Sequence, residues 1–483
     1  MVSYAGINEV SVGSGQSRSA YANLLKYHYG PRWDSWIHSE ALIADKIAKK
    51  KGTMGGISRV SSLTLSLPQS AGMSSGEGYY LPEPTTGTHV NPRIVARDMY
   101  TRLRWSGQSQ RAARAGDKAA WARPKQNDVE DARTQSTLNF ARKLYLGYYD
   151  VLGVVKSNAE PTATLYGRED RDSGAATTAG NYYKFGTHYL RENMVIGFVD
   201  STSGPGGVPL YNNNDSQYMV KIASVGGSLA TPTITHQTGA VASGGKALAD
   251  ILTGDAAIAD GDFIVPYASR QDGTSYAADG TFDTNFFTFN GVGSVVLPSS
   301  HYSHLYGLSK ATYSKLGGIF DHGSENPREM KEMRLTYMIH RIRNEGSGGS
   351  PTVAMLHDSM MREIIKVNED NRRFAPVQQG KHGYGQMVHM AGSTLVPYVE
   401  DWMCPPGQVV ALDEGSWGWY SESDLAPLDD PQVRFIPNYD QSEQIWHKSG
   451  NTECRKPHNN GILDDLEFDL DGLPDAGAAD GAG

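Results

Sequence analysis

The chain has 483 residues, of which 39% are hydrophobic and 10% aromatic, and its formal net charge at pH 7 is -9. This composition excludes wholesale disorder, and the length allows two or three domains or one large elaborated fold. The sequence has no run of about 18 apolar residues that would span a bilayer and no secretory signal. Two cysteines, Cys404 and Cys454, are too few for a disulfide framework and indicate ordinary thiols in a reducing compartment.

Charge is distributed unevenly along the chain. Residues 1–160 carry 21 Lys and Arg against 13 Asp and Glu, a balance of +8, whereas the remainder carries 23 against 40, a balance of -17. The negative total argues against a protein whose main role is to bind a polyanion. The asymmetry fits nucleic-acid binding by the basic part, a basic arm that meets an acidic surface on a neighbouring copy, or a solvated face without a partner.

The N-terminal part predicts an arm, a helix and a strand. Residues 1–32 are rich in Ser, Gly and Tyr and poorly periodic, which is typical of a flexible arm. From Asp34 apolar residues recur at helical spacing, and Gly52 stands where a helix terminator is expected. In SSLTLSL, three leucines then alternate with Ser and Thr, which predicts a half-buried strand.

The segment Leu67–Gly116 has few aliphatic side chains and no lysine, so it lacks the material for a core of its own. Three interpretations of its arginines stay open. They contact phosphates together with Tyr100 and Trp105, they pair with carboxylates of another subunit, or they form a solvated surface. The acidic remainder of the chain favours the second interpretation. The six arginines are Arg93, Arg97, Arg102, Arg104, Arg111 and Arg114.

A long helix is predicted over 127–150. Asn127 and Glu130 have the spacing of an N-terminal capping box, and apolar residues then mark one side of the helix. Residues 157–250 are rich in Gly, Asn, Ser and Thr with short apolar runs. This pattern continues up to the segment HLYGLS and predicts short strands and loops.

Helical signals return in ENPREMKEMRLTYMIHRIRNEGSGG. Asn326 is predicted to cap the helix with Pro327 at its first position and Glu329 completing the box, and Gly346 to end it. A buried strand is then predicted at PTVAML, followed by a helix at MMREIIKV that Asp358 or Ser359 would cap. A return to strands is predicted at STLVPYVEDWMCPPGQVVALD and QVRFIPNY. The buried stripe of the first helix is predicted to be Leu335, Met338, Ile339 and Ile342.

No coherent catalytic or metal-binding set is found. Gly72–Gly76 matches the G-x-S-x-G pattern of a hydrolase nucleophile elbow around Ser74, but no helix can follow it as that site requires. His301, His304 and His322 lack a fourth ligand at zinc spacing. The acidic run near the C-terminus lacks the glutamate that closes a calcium loop. We therefore expect no cofactor, no metal and no enzymatic activity.

The order of these elements resembles major capsid proteins of tailed double-stranded-DNA bacteriophages with the HK97-like fold. LTLSLPQSAGMSSGEGYYLPEP and RLRWSGQSQRAARAG resemble the two legs of the extended loop (E-loop), and NDVEDARTQSTLNFARKLYLGYYD resembles the spine helix. REMKEMRLTYMIHRIRNEGSGGSPTVAMLHDSMMREIIKV resembles the axial helix–strand–helix, and STLVPYVEDWMCPPGQVVALDEGSWGWYS the late β segments. The match spans most of the chain but is one of pattern and order.

The resemblance implies an α+β, HK97-like capsid fold with these divisions. They are 1–58 as N-terminal arm with helix, 59–118 as E-loop, 119–200 as peripheral domain with the spine helix 127–150, 201–430 as axial domain in which 160–250 has room for an insertion, 431–460 as a return strand to the peripheral domain, and 461–483 as an acidic tail.

The resemblance also implies a function and partners. The chain would assemble in the host bacterial cytoplasm into hexamers and pentamers of an icosahedral virion shell that encloses double-stranded DNA, contacted without sequence specificity. A separate scaffolding protein, a portal protein and a decoration or cement protein are the implied partners, and no membrane is involved. Lys118 lies only at the base of the loop, which argues against the lysine crosslink of some members. The alternatives are another virion structural protein (tail or decoration component) or a serine hydrolase using Ser74.

Overall fold

A computed structural model describes most of the chain. It describes residues 42–47, 51–54, 58–66, 86–106, 118–147, 149–159, 162–167, 182–199, 201, 220–227, 232–236, 258, 260–266, 288–323, 328–345, 349–369, 387–392, 394–428, 434–436 and 439–468. The predictions for the arm 1–32, for Ser74, and for Arg111 and Arg114 lie outside these residues.

The elements follow the chain in this order. The helices are α1 Leu42–Ile47, α2 Lys118–Leu146, α3 Val292–Val296, α4 Glu332–Glu345 and α5 Asp358–Glu369. The first strands are β1 Lys51–Thr53, β2 Ser58–Val60, β3 Leu63–Ser66, β4 Thr88–Val90, β5 Arg93–Val95, β6 Arg97–Ser106, β7 Gly153–Ala159, β8 Thr162–Leu165, β9 Val195–Val199, β10 Val220–Gly227, β11 Pro232–His236 and β12 Phe263–Pro266. The later strands are β13 His304–Leu305, β14 Leu308–Ser309, β15 Ile319–Asp321, β16 Val353–Leu356, β17 Val388–Ala391, β18 Thr394–Glu400, β19 Val409–Leu412, β20 Trp417–Pro427, β21 Arg434–Phe435, β22 Gln441–Cys454 and β23 Gly461–Leu463.

The strands form three main assemblies. A long sheet has the order β1-β20-β22-β21, and β6 also pairs with β22. Strands β10-β11-β8-β7-β12-β9 close into a barrel. A six-stranded sheet has the order β15-β23-β19-β16-β18-β17. Two short hairpin-like pairs, β2 with β5 and β3 with β4, lie between β1 and β6 in the chain.

The C-terminal end of α2 is a buried junction between these assemblies. On one side Phe140 packs edge-on against Trp419 of the long sheet, with ring centroids 5.0 Å apart. On another side Tyr145 donates a hydrogen bond of 2.8 Å to Asp401, at the end of β18 in the six-stranded sheet. The chain then leaves α2 through Val151 and Leu152, both fully buried, directly into β7 of the barrel.

Helix α3 packs closely against the last turn of α2. A Cβ atom on Gly293 would lie 2.8 Å from the carbonyl oxygen of Leu146, so only glycine allows this approach. Tyr302 donates a hydrogen bond of 2.6 Å to the same carbonyl. These contacts matter because the last carbonyls of a helix have no partner within the helix.

Asp401 ties the N-terminal helix to this junction. Its carboxylate accepts hydrogen bonds from the main-chain N–H of Ile43 in α1 and from Tyr145. Burial raises the pKa of Asp401, and hydrogen bonds from Met403 N–H, Tyr145 and Ile43 N–H oppose that rise. One side chain therefore connects α1, α2 and the six-stranded sheet.

The predicted stripe of α4 is confirmed. All four of its members are buried in a cluster with Leu356 and Val396 of the six-stranded sheet. PTVAML forms β16, which is buried on both faces because its alternate residues enter two different clusters. Strands are also found where STLVPYVEDWMCPPGQVVALD, QVRFIPNY and SSLTLSL predict them.

The predicted start of the long helix is wrong. Helix α2 begins at Lys118, so Asn127 and Glu130 are positions inside it and not at its start. The helix ends before Gly147, which has a φ of 78°, rather than at 150. Polar residues three apart also occur on the polar side of a helix, so this spacing alone does not mark a helix start.

Helix α4 also begins later in the chain than predicted. The helix begins at Glu332, so Glu329 does not complete a capping box, and Arg328 instead forms a β-bridge with Leu466. The side chain of Arg328 contacts Asp321 and a main-chain carbonyl of the C-terminal segment. This tertiary pairing is invisible to local sequence pattern. Asn326, Pro327 and Gly346 lie outside the described residues.

Two further expectations for the ends of the chain are corrected. Gly52 does not terminate a helix, because it lies in β1, which pairs in parallel with β20. A Cβ atom there would lie 2.5 Å from the ring of Tyr420, so glycine permits close packing within the sheet. The acidic tail does not begin at 461, because β23 is buried between β15 and β19. GIL is too short an apolar run to be recognised as a strand.

The barrel and the long sheet cut across two of the predicted domain divisions. The division at 200/201 separates β9 from β10, which pair in the barrel. The division at 430/431 separates β20 from β22, which pair in the long sheet. Four of the six barrel strands, β8 to β11, lie within 160–250, where the sequence has room for an insertion. The names peripheral and axial domain stay predictions.

We expect Asp150→Asn to lower the free energy of unfolding by about 3–5 kcal/mol, the loss typical when one partner of a buried ion pair is removed. Asp150 is fully buried and accepts hydrogen bonds from Arg142 and Lys143. Burial alone would raise the pKa of Asp150, but the two cations lower it overall. The stabilisation that ionised Asp150 provides is therefore fully present above about pH 4, the pKa of an aspartate in the unfolded chain. It is lost as the pH falls further, through the lower pKa that Asp150 has in the folded chain.

Denaturant unfolding at pH 7 and at decreasing pH measures both expectations. The matched control is Glu345→Gln, because the Arg341–Glu345 pair is exposed and one helical turn apart. That change should cost about 0.5 kcal/mol or less. Equal losses for the two variants, or a loss at Asp150 that does not shrink in acid, would contradict the assignment.

Candidate inter-subunit surface

The candidate site is the face of strands β6 and β22 that points away from α2. These strands pair antiparallel over ten positions, from Ser106 opposite Gln441 to Arg97 opposite Gly450. Because side chains alternate along a strand, one face of this pair carries one set of residues and the opposite face the other. The two faces have different partners.

One face packs on α2. Thr101 and Ser136 share a hydrogen bond of 2.6 Å, and the indole N–H of Trp105 donates to Asp128 at 3.0 Å. The ammonium of Lys448 lies 3.7 Å from the centroid of the Phe140 ring. Trp105 is therefore buried against the helix. It is not exposed for the phosphate-binding interpretation, in which it would stack on nucleic-acid bases.

The opposite face carries the predicted Arg102 and Arg104, together with Asp98 and Tyr100. Arg102 contacts Glu443 directly, and Arg104 lies 3.5 Å from the same carboxylate. The side chain of Glu443 is only 5% exposed, whereas that of Arg102 is 48% exposed. The pair thus holds a buried carboxylate and leaves one guanidinium open to a neighbour.

Tyr100 and His447 stand opposite each other on the same face of β6 and β22. Their rings stack with centroids 4.9 Å apart, and His447 also contacts Asp98 at 3.0 Å. Tyr100 is 58% exposed. The outer face of β6 and β22 is defined here as Asp98, Tyr100, Arg102, Arg104, Glu443 and His447. It has both signs of charge and an exposed aromatic ring, which suits protein contacts better than phosphate binding.

A second cluster of contacts holds β2 and the residue that follows it, Ser61, against the long sheet. Ser61 donates a hydrogen bond of 2.7 Å to Glu453, and Arg59 lies 3.7 Å from that carboxylate. Arg59 also lies over the ring of Tyr420 at 4.0 Å, while Arg455 donates to the hydroxyl of the same tyrosine. These contacts fix residues 58–61 to the long sheet.

The remaining predicted site residues are dispersed. Arg93 donates to Ser58 at 3.0 Å, between β5 and β2, and burial lowers the pKa of Arg97 against the opposing effect of Asp98. Residues 97–106 have partners in their own chain, because β6 pairs with β22 and joins the long sheet. Whether the arginines also contact another subunit stays a prediction.

Sequence reasoning missed the acidic half of this surface. Glu443 is 341 residues from Arg102 in the chain, and Glu453 is more than 300 residues from Arg59. The alternation in QSEQIWHKSG was the only available signal, and it identifies a strand but not its neighbour.

The described residues contain no group of three or more His, Cys, Asp or Glu side chains arranged to hold a metal ion. His301 packs against Phe320, and burial lowers its pKa to about 4. Cys404 and Cys454 are buried thiols outside any disulfide, and burial raises the pKa of Cys454 to about 12. None of the helices that the structure describes has the length and apolar character of a membrane span.

The fold has a counterpart among solved structures, although no protein-family model and no curated protein sequence matches the chain. A chain of the cyanophage A-1(L) capsid asymmetric unit aligns over 92% of this chain and 98% of its own length, at 11% identity and a TM-score of 0.50. This chain has a phage capsid fold. The predicted resemblance is thus confirmed at the level of the fold, which mixes α and β structure as expected.

Two other similar structures have lower scores. A Mycobacterium phage Bobi chain aligns over 94% of this chain and 100% of its own length, at 8% identity and a TM-score of 0.39. A chain from the capsid of an empty GTA particle aligns over 91% and 95%, at 8% identity and a TM-score of 0.41. Scores below 0.5 add no independent support for the phage capsid fold.

We expect Glu443→Gln to lower the free energy of unfolding by about 1–3 kcal/mol, because it leaves two guanidinium groups beside a buried neutral amide. Thermal or denaturant unfolding measures the loss. Arg102→Gln is the matched control, since its more exposed side chain should contribute about 1 kcal/mol or less. A larger loss for Arg102→Gln than for Glu443→Gln would show that the buried carboxylate does not dominate the pair.

Proposed function

We propose that this chain is the structural subunit of a phage capsid shell, and that it acts without catalysis. The observation that carries the proposal is the match in fold to a chain of a cyanophage capsid over nearly the full length of both chains. Copies would form hexamers and pentamers of an icosahedral virion shell around double-stranded DNA, after assembly in the host bacterial cytoplasm.

In this proposal each assembly of the fold has a role. Helix α2 and the long sheet form the peripheral domain, and the six-stranded sheet with α4 and α5 forms the axial domain. The barrel is an insertion on this framework. Strands β2 to β5 form the base and proximal legs of the E-loop, whose returning leg β6 is built into the subunit's own long sheet.

The outer face of β6 and β22 is proposed as a contact for a neighbouring subunit. Arg102 and Arg104 share the single buried carboxylate of Glu443. A carboxylate from another copy would therefore neutralise the remaining positive charge at Arg102. The surplus of -17 outside residues 1–160 supplies such carboxylates on every copy. Scaffolding, portal and decoration proteins are the further partners that a shell of this kind would need.

Assembly of the expressed protein tests the proposal. We expect sedimentation velocity and negative-stain electron microscopy to reveal capsomers or closed particles, with co-expression of a scaffolding protein where the chain alone does not assemble. A compact monomer under all these conditions would contradict the proposed function.

The E-loop can be shortened without touching the long sheet. Ser66 pairs with Thr88 across β3 and β4, so an Asn-Gly turn can replace residues 67–87 and close the hairpin. We expect this variant to keep the melting temperature of the parent subunit but to form closed particles poorly. Loss of the folded subunit would instead show that the replaced residues stabilise their own chain.

A further inference from the structure

Exposed apolar side chains are concentrated at one end of the six-stranded sheet. Of the nine large apolar side chains that are exposed in the described residues, five belong to α4, β17 and β18, with exposed fractions between 44% and 74%. Exposed apolar residues that occur singly need no explanation, but a concentration of them marks a surface that another protein covers. The five residues are Met333, Tyr337, Val388, Met390 and Leu395.

Three of them lie on one face of the β17–β18 hairpin. Residues of β17 alternate, with His389 and Ala391 buried and Val388 and Met390 exposed. Leu395 stands opposite Met390 in the register and is exposed on the same face. Val388, Met390 and Leu395 are called the sheet patch.

The other two lie on α4, which covers the opposite face of the hairpin. Thr336 of α4 contacts the ring of His389 at 2.9 Å, so the helix packs on the buried side of β17. Met333 and Tyr337 are four residues apart and therefore share one side of the helix, the side away from the sheet. Met333 and Tyr337 are called the helix patch.

The two patches therefore lie on opposite outer surfaces of one two-layer unit, with α4 and the sheet between them. Neither patch can cover the other within one chain. A second copy can cover each of them, because it presents both.

The backbone of β17 is also open. Pro397 stands opposite Val388 and has no N–H, and the N–H of Tyr398 donates to the carbonyl of Met387 at 3.0 Å. In an antiparallel pair hydrogen-bonded positions alternate, so the amide and carbonyl groups of Val388 and Met390 point away from β18. Strand β17 is the last strand of its sheet among those the structure describes, and such an edge favours contact with another chain.

We infer that the sheet patch of one subunit packs on the helix patch of the next subunit, head to tail. Two different patches on opposite sides of a unit give a heterologous contact, which makes a ring when the rotation between copies closes. The inference rests on the proposed function, because a shell subunit is surrounded by copies of itself. It specifies which residues join neighbours around a capsomer.

Cysteine pairs test the contact in assembled capsomers. The native Cys404 and Cys454 are buried and can remain. We expect Met333→Cys combined with Met390→Cys, or Tyr337→Cys combined with Met390→Cys, to give a ladder of disulfide-linked oligomers on oxidation with copper phenanthroline. Each single variant should stay monomeric on a non-reducing gel, because a heterologous contact brings two different positions together.

Two results would overturn the inference without touching the proposed function. One is particles that form normally but give no ladder in either double variant. The other is a covalent dimer from Met390→Cys alone, which would indicate a two-fold contact between sheet patches. Failure of the parent protein to assemble at all would instead overturn the proposed function together with this contact.

A charge at the same position gives a second, independent readout. Met390→Glu places a carboxylate in the apolar contact and should abolish capsomers by sedimentation, while the melting temperature of the subunit stays unchanged because the side chain is exposed. Met390→Leu is the matched control and should assemble like the parent protein. Normal assembly of Met390→Glu would contradict the proposed packing.

Discussion

The last turn of α2 is the contact on which the other parts of this structure depend. The carbonyl oxygens there have no partner in the helix, and Tyr302 and a glycine-bearing turn of α3 cover them. Tyr145 of the same turn reaches the buried Asp401, which also holds the N–H of Ile43. The long sheet, the six-stranded sheet and the barrel meet at the C-terminal end of α2, so a change in the position of α2 moves all three together.

The surfaces that are proposed to join copies lie away from this junction. Polar contacts predominate on the outer face of β6 and β22, where Glu443 is buried and Arg102 is open. Apolar contacts predominate at the far end of the six-stranded sheet. The difference has a physical consequence: contacts of the first kind weaken as salt screens exposed charges, whereas apolar contacts persist. A shell that uses both kinds can hold neighbours through one while the other rearranges.

Local patterns predicted the elements well and their partners poorly. The stripe of α4 and the buried strand β16 follow from periodicity, because burial imposes a period on the sequence. Glu443 could not be assigned to Arg102 from sequence, since strand pairing over long separations leaves no local trace. The same limit explains the errors at Gly52, which packs on Tyr420, and at β23, which the sequence presented as part of a tail. The order of elements, rather than any motif, indicated the capsid fold.

A cryo-EM reconstruction of particles assembled from this chain would show both proposed contacts at once. We expect closed shells in which β6 stays in the long sheet of its own subunit while residues 67–87 lie over an adjacent subunit. We also expect each α4 to face the β17–β18 hairpin of the next copy around the capsomer. A particle in which residues 67–87 pack only on their own chain, or a preparation that contains only monomers, would contradict the proposed assembly.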